Sequence, residues 1–257
     1  MSTVKICGLQ QTEMVRAVLH LPIDHIGFVF APSKRQVTPE RAREMIRVLV
    51  ERREAGMPVP LTVGVFVNPT QCDLTEVMEK APLDVIQLHG QESPEQCRWV
   101  KDAFPAVRVW KVVSVAQLQV ESDRRTPGER SHTVSGAAEV SSVATCATAD
   151  VAAAVLEPYR HAVDGIVLDT FDPVYGGGSG KTFAWDAIPP YQEWCRANGI
   201  ELLVAGGLQA GNVGALLDAY APDGVDVSSG VETDGVKDLN KIISFVERVK
   251  QHVQCTG

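Results

Sequence analysis

Residues 25–67, HIGFVFAPSKRQVTPERAREMIRVLVERREAGMPVPLTVGVFV, hold the unit from which this chain is built. A β-branched run at His25–Phe30 reads as a strand, Thr38–Glu54 as an amphipathic helix, and Leu61–Val67 as a second strand. Thr38-Pro39-Glu40 marks the helix start, with a capping hydroxyl before a proline at the first helical position. Two strands separated by a helix of this length predict a parallel pair, because parallel neighbours need a long crossover.

The same alternation continues in both directions. Further strands are expected at Val4–Cys7, Val85–His89, Val107–Val113, Gly165–Asp169, Glu201–Ala205 and Gly224–Ser228, making eight in 257 residues. Eight strand–helix repeats in a chain of this length predict an α/β fold, a (β/α)8 TIM barrel forming a single domain over 1–257; a doubly wound sheet is the second choice. From 107 to 165 is 58 residues, whereas no other strand-to-strand interval exceeds 36 (25 to 61, and 165 to 201). An inserted surface segment is therefore expected at about 118–160. Within it Glu121–Thr148 is rich in Ser, Thr, Glu and Arg and contains Pro127-Gly128, an exposed excursion to which no chemistry is assigned.

Composition narrows the function. With 45% hydrophobic and 22% charged residues the chain is ordinary for a globular protein. A formal charge of -8 argues against nucleic-acid binding, which needs clustered Lys and Arg. MSTVKICGLQQTEM lacks signal-peptide order and no apolar stretch is long enough for a membrane span, so a cytoplasmic protein is expected. Cys7, Cys72, Cys97, Cys146, Cys195 and Cys255 are scattered without a CxxC pair, indicating neither a zinc site nor a disulfide framework.

Barrel enzymes place reacting groups at the C-terminal ends of strands. Those ends carry Cys7, Lys34-Arg35, His89 and Asp169: a thiol, cations, an imidazole and a carboxyl at one rim. Gly206-Gly207 after the seventh strand and Ser228-Ser229-Gly230 after the eighth suit a phosphate, since glycine lets backbone N–H groups approach an anion and serine adds donors. Asp226 is expected to order the rim or touch the ligand. The run Tyr175–Thr182 ends like a Walker A loop but has Tyr175 where the first glycine belongs. It is expected to be a loop closing over the barrel mouth, with Lys181 near the ligand.

These residues fall in blocks: KICGL at 5–9, GFVF with SKR at 27–35, VFVN at 65–68, QLHG at 87–90, LDT at 168–170, GGSGKTF at 177–183, AGGL with NV at 205–213 and VDVSSGVE at 225–232. In that order, at nearly every strand end, they closely resemble the phosphoribosylanthranilate isomerase family of tryptophan biosynthesis. The resemblance implies an Amadori rearrangement of a phosphorylated aminosugar without metal or cofactor, with Cys7 as base and Asp169 as acid. It implies substrate binding by Arg35, His89, Gly206, Gly207, Asp226, Ser228, Ser229 and Gly230, with Arg35 pairing the anthranilate carboxylate or lying over its ring. Ala184, Gln91, Gln209 and Gly211 depart from the family's usual residues. Neutral pH finds a free thiol and a free carboxyl mostly in the wrong state for these roles, so surroundings and substrate together are expected to lower the first and raise the second. A non-catalytic sugar-phosphate sensor and a metal-dependent epimerase are the competing readings, the latter opposed by the lack of a second rim histidine. The oligomeric state is left open.

Overall fold

The computed structural model describes residues 2–114, 149–169 and 185–255. Eight strands, β1 (Thr3–Cys7), β2 (His25–Val29), β3 (Leu61–Phe66), β4 (Val85–Leu88), β5 (Arg108–Ser114), β6 (Gly165–Asp169), β7 (Glu201–Val204) and β8 (Gly224–Val227), form a closed barrel in chain order. All pairings are parallel, and β8 returns to β1 with Thr3 opposite Gly224 and Ile6 opposite Val227. Each strand bound lies within one residue of its sequence expectation.

The described helices are α1 (Thr12–Val18), α2 (Pro39–Glu54), α3 (Gln71–Lys80), α4 (Pro94–Ala103), α5 (149–156), α6 (Ile188–Asn198), α7 (Val213–Tyr220) and α8 (Leu239–Cys255). Thr38 caps α2 by accepting from the Arg41 N–H at 3.2 Å. Thr70 caps α3 in a reciprocal box with Asp73. Among the described residues no helix is long and apolar enough to cross a membrane.

Both faces of every strand are buried, which is why the strands read as continuous apolar runs. Val4, Ile6, Ile26, Phe28, Ile86 and Leu88 face the helices in the larger core. Val63, Val85, Trp110, Val112, Val167 and Leu203 fill the barrel interior. Since successive side chains alternate, Lys5, Cys7 and Asp226, flanked by outward-facing Val4, Ile6, Val225 and Val227, point inward. Gly165 makes room for Trp110, whose Cδ1 would stand 2.6 Å from a Cβ built there.

Of the segment expected as an insertion, residues 149–160 are described. They comprise α5, whose Ala152 and Leu156 lie in the core, followed by a 3-10 turn at Glu157–Tyr159. The return to β6 thus begins inside the range expected to be surface. Glu121–Thr148, Ala184 and the glycine run with Lys181 lie outside the described residues. After β8 comes a small hairpin, β9 (Glu232–Thr233) and β10 (Val236–Lys237), turned by Asp234 and Gly235 at φ 51° and 81°.

His25 lies edge-on to Trp110, ring centroids 4.9 Å apart, and both its ring nitrogens are buried without partners among the described residues. Burial, then the Lys5 charge, pulls its pKa down to about 4. The unfolded chain therefore binds this proton first, and stability is lost as pH falls from about 6.5 toward that value. Urea midpoints are expected to drop between about pH 7 and pH 5.5, and to drop less in His25→Gln.

Candidate active site

The C-terminal mouth of the barrel holds one cavity lined by Cys7, Arg35, His89, Asp169, Gly206, Gly207, Asp226, Ser228 and Ser229. These are nine of the ten residues expected from sequence. The tenth, Gly230, packs just behind, where any Cβ would overlap the Leu208 carbonyl oxygen. Glycine at 230 thus lets the turn after β8 close against the turn after β7. Gly206 and Gly207 have φ of 83° and 63°, in the left-handed region that suits glycine. On the β2–β3 side the wall is apolar, formed by Val29, Ala31, Pro32, Val65 and Val67. An aromatic ring fits the apolar wall and an anion fits the glycine–serine turns of β7 and β8.

Cys7 sits at the end of β1 with its thiol buried. Burial pushes the thiol's pKa up; the Lys5 charge opposes this, Asp226 reinforces it, and Lys237 opposes it. The balance is upward because desolvation outweighs the cations, so the protein's own groups supply no net part of the lowering expected from surroundings and substrate together. Lys5 is fully buried and donates to Asp226 Oδ2 at 2.6 Å. Burial alone would neutralise Lys5, but Asp226 and then Cys7 raise its pKa, so it stays an ammonium. Asp226 Oδ1 and Gln87 Oε1, both on cavity-lining residues, are buried acceptors without partners among the described residues.

Asp169 ends β6, and His89 Nε2 lies 3.4 Å from its Oδ2. A buried ion pair sets the His89 turn. Lys111 donates to Glu92 Oε2 at 2.9 Å and to the carbonyls of Leu88 and Gly90 at 3.3 and 2.7 Å, while Glu92 accepts from the Asn68 and Gly90 N–H groups.

Arg35 reaches the cavity from the loop after β2, its stem on the backbone of Gly8, where a Cβ would meet Arg35 Cδ at 2.6 Å. Its guanidinium is already engaged: Nε and Nη2 donate to the two carboxylate oxygens of Glu232 at 2.6 and 3.0 Å. Lys237 also donates to Glu232, at 2.8 Å, and to the Ser228 carbonyl and hydroxyl at 2.8 and 3.2 Å. Burial would raise the Glu232 carboxyl, yet Arg35 and Lys237 hold it down at about 2.

Lys5, Gln87, Glu92, Lys111, Glu232 and Lys237 were not singled out from the sequence. Lys5, Gln87 and Glu232 do lie within the KICGL, QLHG and VDVSSGVE blocks, and a lysine two positions before a strand-end cysteine shares its inward face.

A family model for N-(5'phosphoribosyl)anthranilate (PRA) isomerase matches residues 4–129 and 130–248. This chain belongs to that family. The N-(5'-phosphoribosyl)anthranilate isomerase of Brevibacillus brevis is 43% identical over 255 residues, 99% of this chain and 96% of that one. Among solved structures, the phosphoribosyl anthranilate isomerase of Thermotoga maritima is 32% identical with a TM-score of 0.68, covering 98% of this chain and 100% of that one. Another isomerase, 30% identical with a TM-score of 0.64 and covering 98% of this chain and 100% of its own, was solved with reduced 1-(o-carboxyphenylamino)-1-deoxyribulose 5-phosphate.

The state of the Cys7 thiol is measurable through its reactivity. A thiol reacts with alkylating reagents as thiolate, so labelling of Cys7 by iodoacetamide is expected to rise with pH to a midpoint above the ordinary thiol range of about 8.5. Removing the Lys5 charge in Lys5→Met moves that midpoint further up and slows labelling of the Cys7 peptide at any fixed lower pH. An unchanged profile by mass spectrometry would mean that the ammonium does not reach the sulfur.

Proposed function

We propose that Cys7 and Asp169 are the base and acid of an Amadori rearrangement, converting N-(5-phosphoribosyl)anthranilate to 1-(2-carboxyphenylamino)-1-deoxyribulose 5-phosphate in tryptophan biosynthesis. The observation that carries this reading is that the two residues, at the ends of β1 and β6, line one cavity.

Asp169 gives a proton to the ribose ring oxygen as its bond to C1 breaks, leaving an iminium at C1 and a hydroxyl at C4. The iminium acidifies the C2 hydrogen, and the Cys7 thiolate removes it as a proton. The resulting enolamine gains a proton at C1 and loses one from the C2 hydroxyl, giving the ketose; the protons held by Cys7 and lost by Asp169 are exchanged back before the next turnover. Desolvation holds the Cys7 thiol up, so the thiolate depends on cations: the fixed Lys5 ammonium beside it and the iminium formed above it. The phosphate lies against Gly206-Gly207 and Ser228-Ser229-Gly230. The aryl ring lies on the Val29–Val65 side, with Arg35 at its carboxylate and His89 and Asp226 facing the sugar.

The setting belongs to the same reading. Cys7, Cys72, Cys97 and Cys195 are free thiols, as a reducing cytoplasm would keep them. The chain acts as one barrel domain.

Loss of anthranilate fluorescence on adding the protein to freshly made phosphoribosylanthranilate tests the assignment. Cys7→Ala and Asp169→Ala are each expected to cost about 10²- to 10⁴-fold in kcat. Wild-type turnover that survives both substitutions sinks the roles. A phosphate-bearing product analogue is also expected to protect Cys7 from iodoacetamide, and labelling indifferent to the analogue would place the substrate elsewhere.

A further inference from the structure

We propose that Glu232 is a positioning residue that sets selectivity for an ortho-carboxylated aryl amine, by holding Arg35 so that one end of its guanidinium is left for the substrate's carboxylate. The inference rests on the reading that Arg35 meets the anthranilate moiety.

A guanidinium offers two edges for a carboxylate, one through Nε and one Nη, the other through both Nη atoms. Glu232 takes the first edge in a fork, with Nε at 2.6 Å and Nη2 at 3.0 Å. What remains is the Nη1–Nη2 end and the planar face, on a side chain that lines the cavity. The stem has little freedom, since it lies directly on the Gly8 backbone, which has a φ of +80°. Both partners are nearly buried, with side-chain exposures of 12% for Arg35 and 5% for Glu232.

Glu232 is itself anchored independently of Arg35. It begins β9 and is paired in register with Lys237 on β10. The Lys237 ammonium binds Glu232 Oε1 at 2.8 Å and the Ser228 carbonyl at 2.8 Å, and the Ser228 hydroxyl donates to the Cys7 carbonyl at 3.2 Å. A chain of polar contacts therefore runs from the aryl end of the cavity through the hairpin to the β8 turn and the β1 strand end. Arg35, carried by a loop after β2, is tied by this chain to the far side of the β1–β8 seam. Its terminal nitrogens are fixed by contacts within the protein, so ligand binding need not order them.

The charge count explains why a second carboxylate is welcome. Lys34 Nζ stands 3.3 Å from Glu232 Oε2, so Lys34, Arg35 and Lys237 surround one carboxylate. Three positive charges against one negative leave an excess of two. An anionic aryl group arriving at the free end of Arg35 meets that excess, whereas a neutral aryl group gains nothing from it.

The test compares kcat/KM for the phosphoribosyl adducts of anthranilate and of aniline, which lacks the carboxylate. Glu232→Gln keeps the size and one acceptor but loses the charge and the fork; the three cations left unopposed would by charge alone strengthen the preference for an anionic aryl group, so a weaker preference reports the lost positioning of Arg35. Glu232→Gln is expected to lower the preference for the anthranilate adduct by about tenfold to a hundredfold, as a rise in KM for that substrate alone with kcat held within about threefold. Glu232→Asp, which keeps the charge with a shorter reach, is expected to fall between wild type and Glu232→Gln and serves if the amide variant folds poorly. Arg35→Ala is the control for the underlying reading. If Arg35→Ala retains the preference, Arg35 does not read the carboxylate and both ideas fail. If Arg35→Ala loses the preference while both Glu232 variants keep it, Arg35 stands and the role of Glu232 is overturned. A lower melting temperature in the Glu232 variants with unchanged selectivity is the same negative result, because a purely structural ion pair predicts it.

Discussion

Closure of the sheet by the pairing of β1 with β8 is the constraint on which everything else depends. It removes the two open edges that a flat parallel sheet would leave and brings residues at opposite ends of the chain into contact. Ser228 Oγ reaches the carbonyl of Cys7 across 221 positions of sequence, and Lys5 pairs with Asp226 across the same number. That ion pair is wholly inside the barrel. Removing one member would strand a buried charge at a cost of about 3–5 kcal/mol, so closure and charge pairing stabilise the same seam.

The seam also organises the electrostatics of the mouth. Lys5, Lys34, Arg35 and Lys237 gather around the ends of β1, β2 and β8, balanced in part by Asp226 and Glu232. The balance is positive, as suits a substrate with a phosphate and a carboxylate, though the protein as a whole carries a formal charge of -8. Field at a site is set by the nearest charges in a poorly screened cleft, not by the total. Of these cations Lys5 and Lys237 oppose the desolvation of the Cys7 thiol without overcoming it, so the balance at the sulfur is upward.

The legible parts of the sequence were those whose signal is local. Strand bounds could be read to within a residue because each strand is a short β-branched run between turn residues, and α2 announced itself through Thr38-Pro39-Glu40. Nine candidate residues fell on one cavity because barrel topology sends every strand end to the same mouth. The helical character of residues 149–156 and the burial of Ala152 and Leu156 were missed, since a composition rich in small and polar residues around them masked one short apolar face. Glu232 and Lys237 were missed for another reason. They sit on a two-residue hairpin with no periodicity of its own, and nothing local says that its carboxylate will meet an arginine 197 positions earlier.

By itself the sequence determined the order and type of the elements, the barrel they close into, and which side chains stand at strand ends, because hydrophobic period, caps and turn residues act over a few positions. Only the tertiary structure decided how the charges at the mouth pair: that Arg35 gives one edge to Glu232, that Lys5 remains an ammonium beneath Cys7, and that burial leaves the Cys7 thiol raised. Those outcomes depend on distances of about 3 Å between residues far apart in the chain and on how much water burial has removed, and both are set only when the barrel closes.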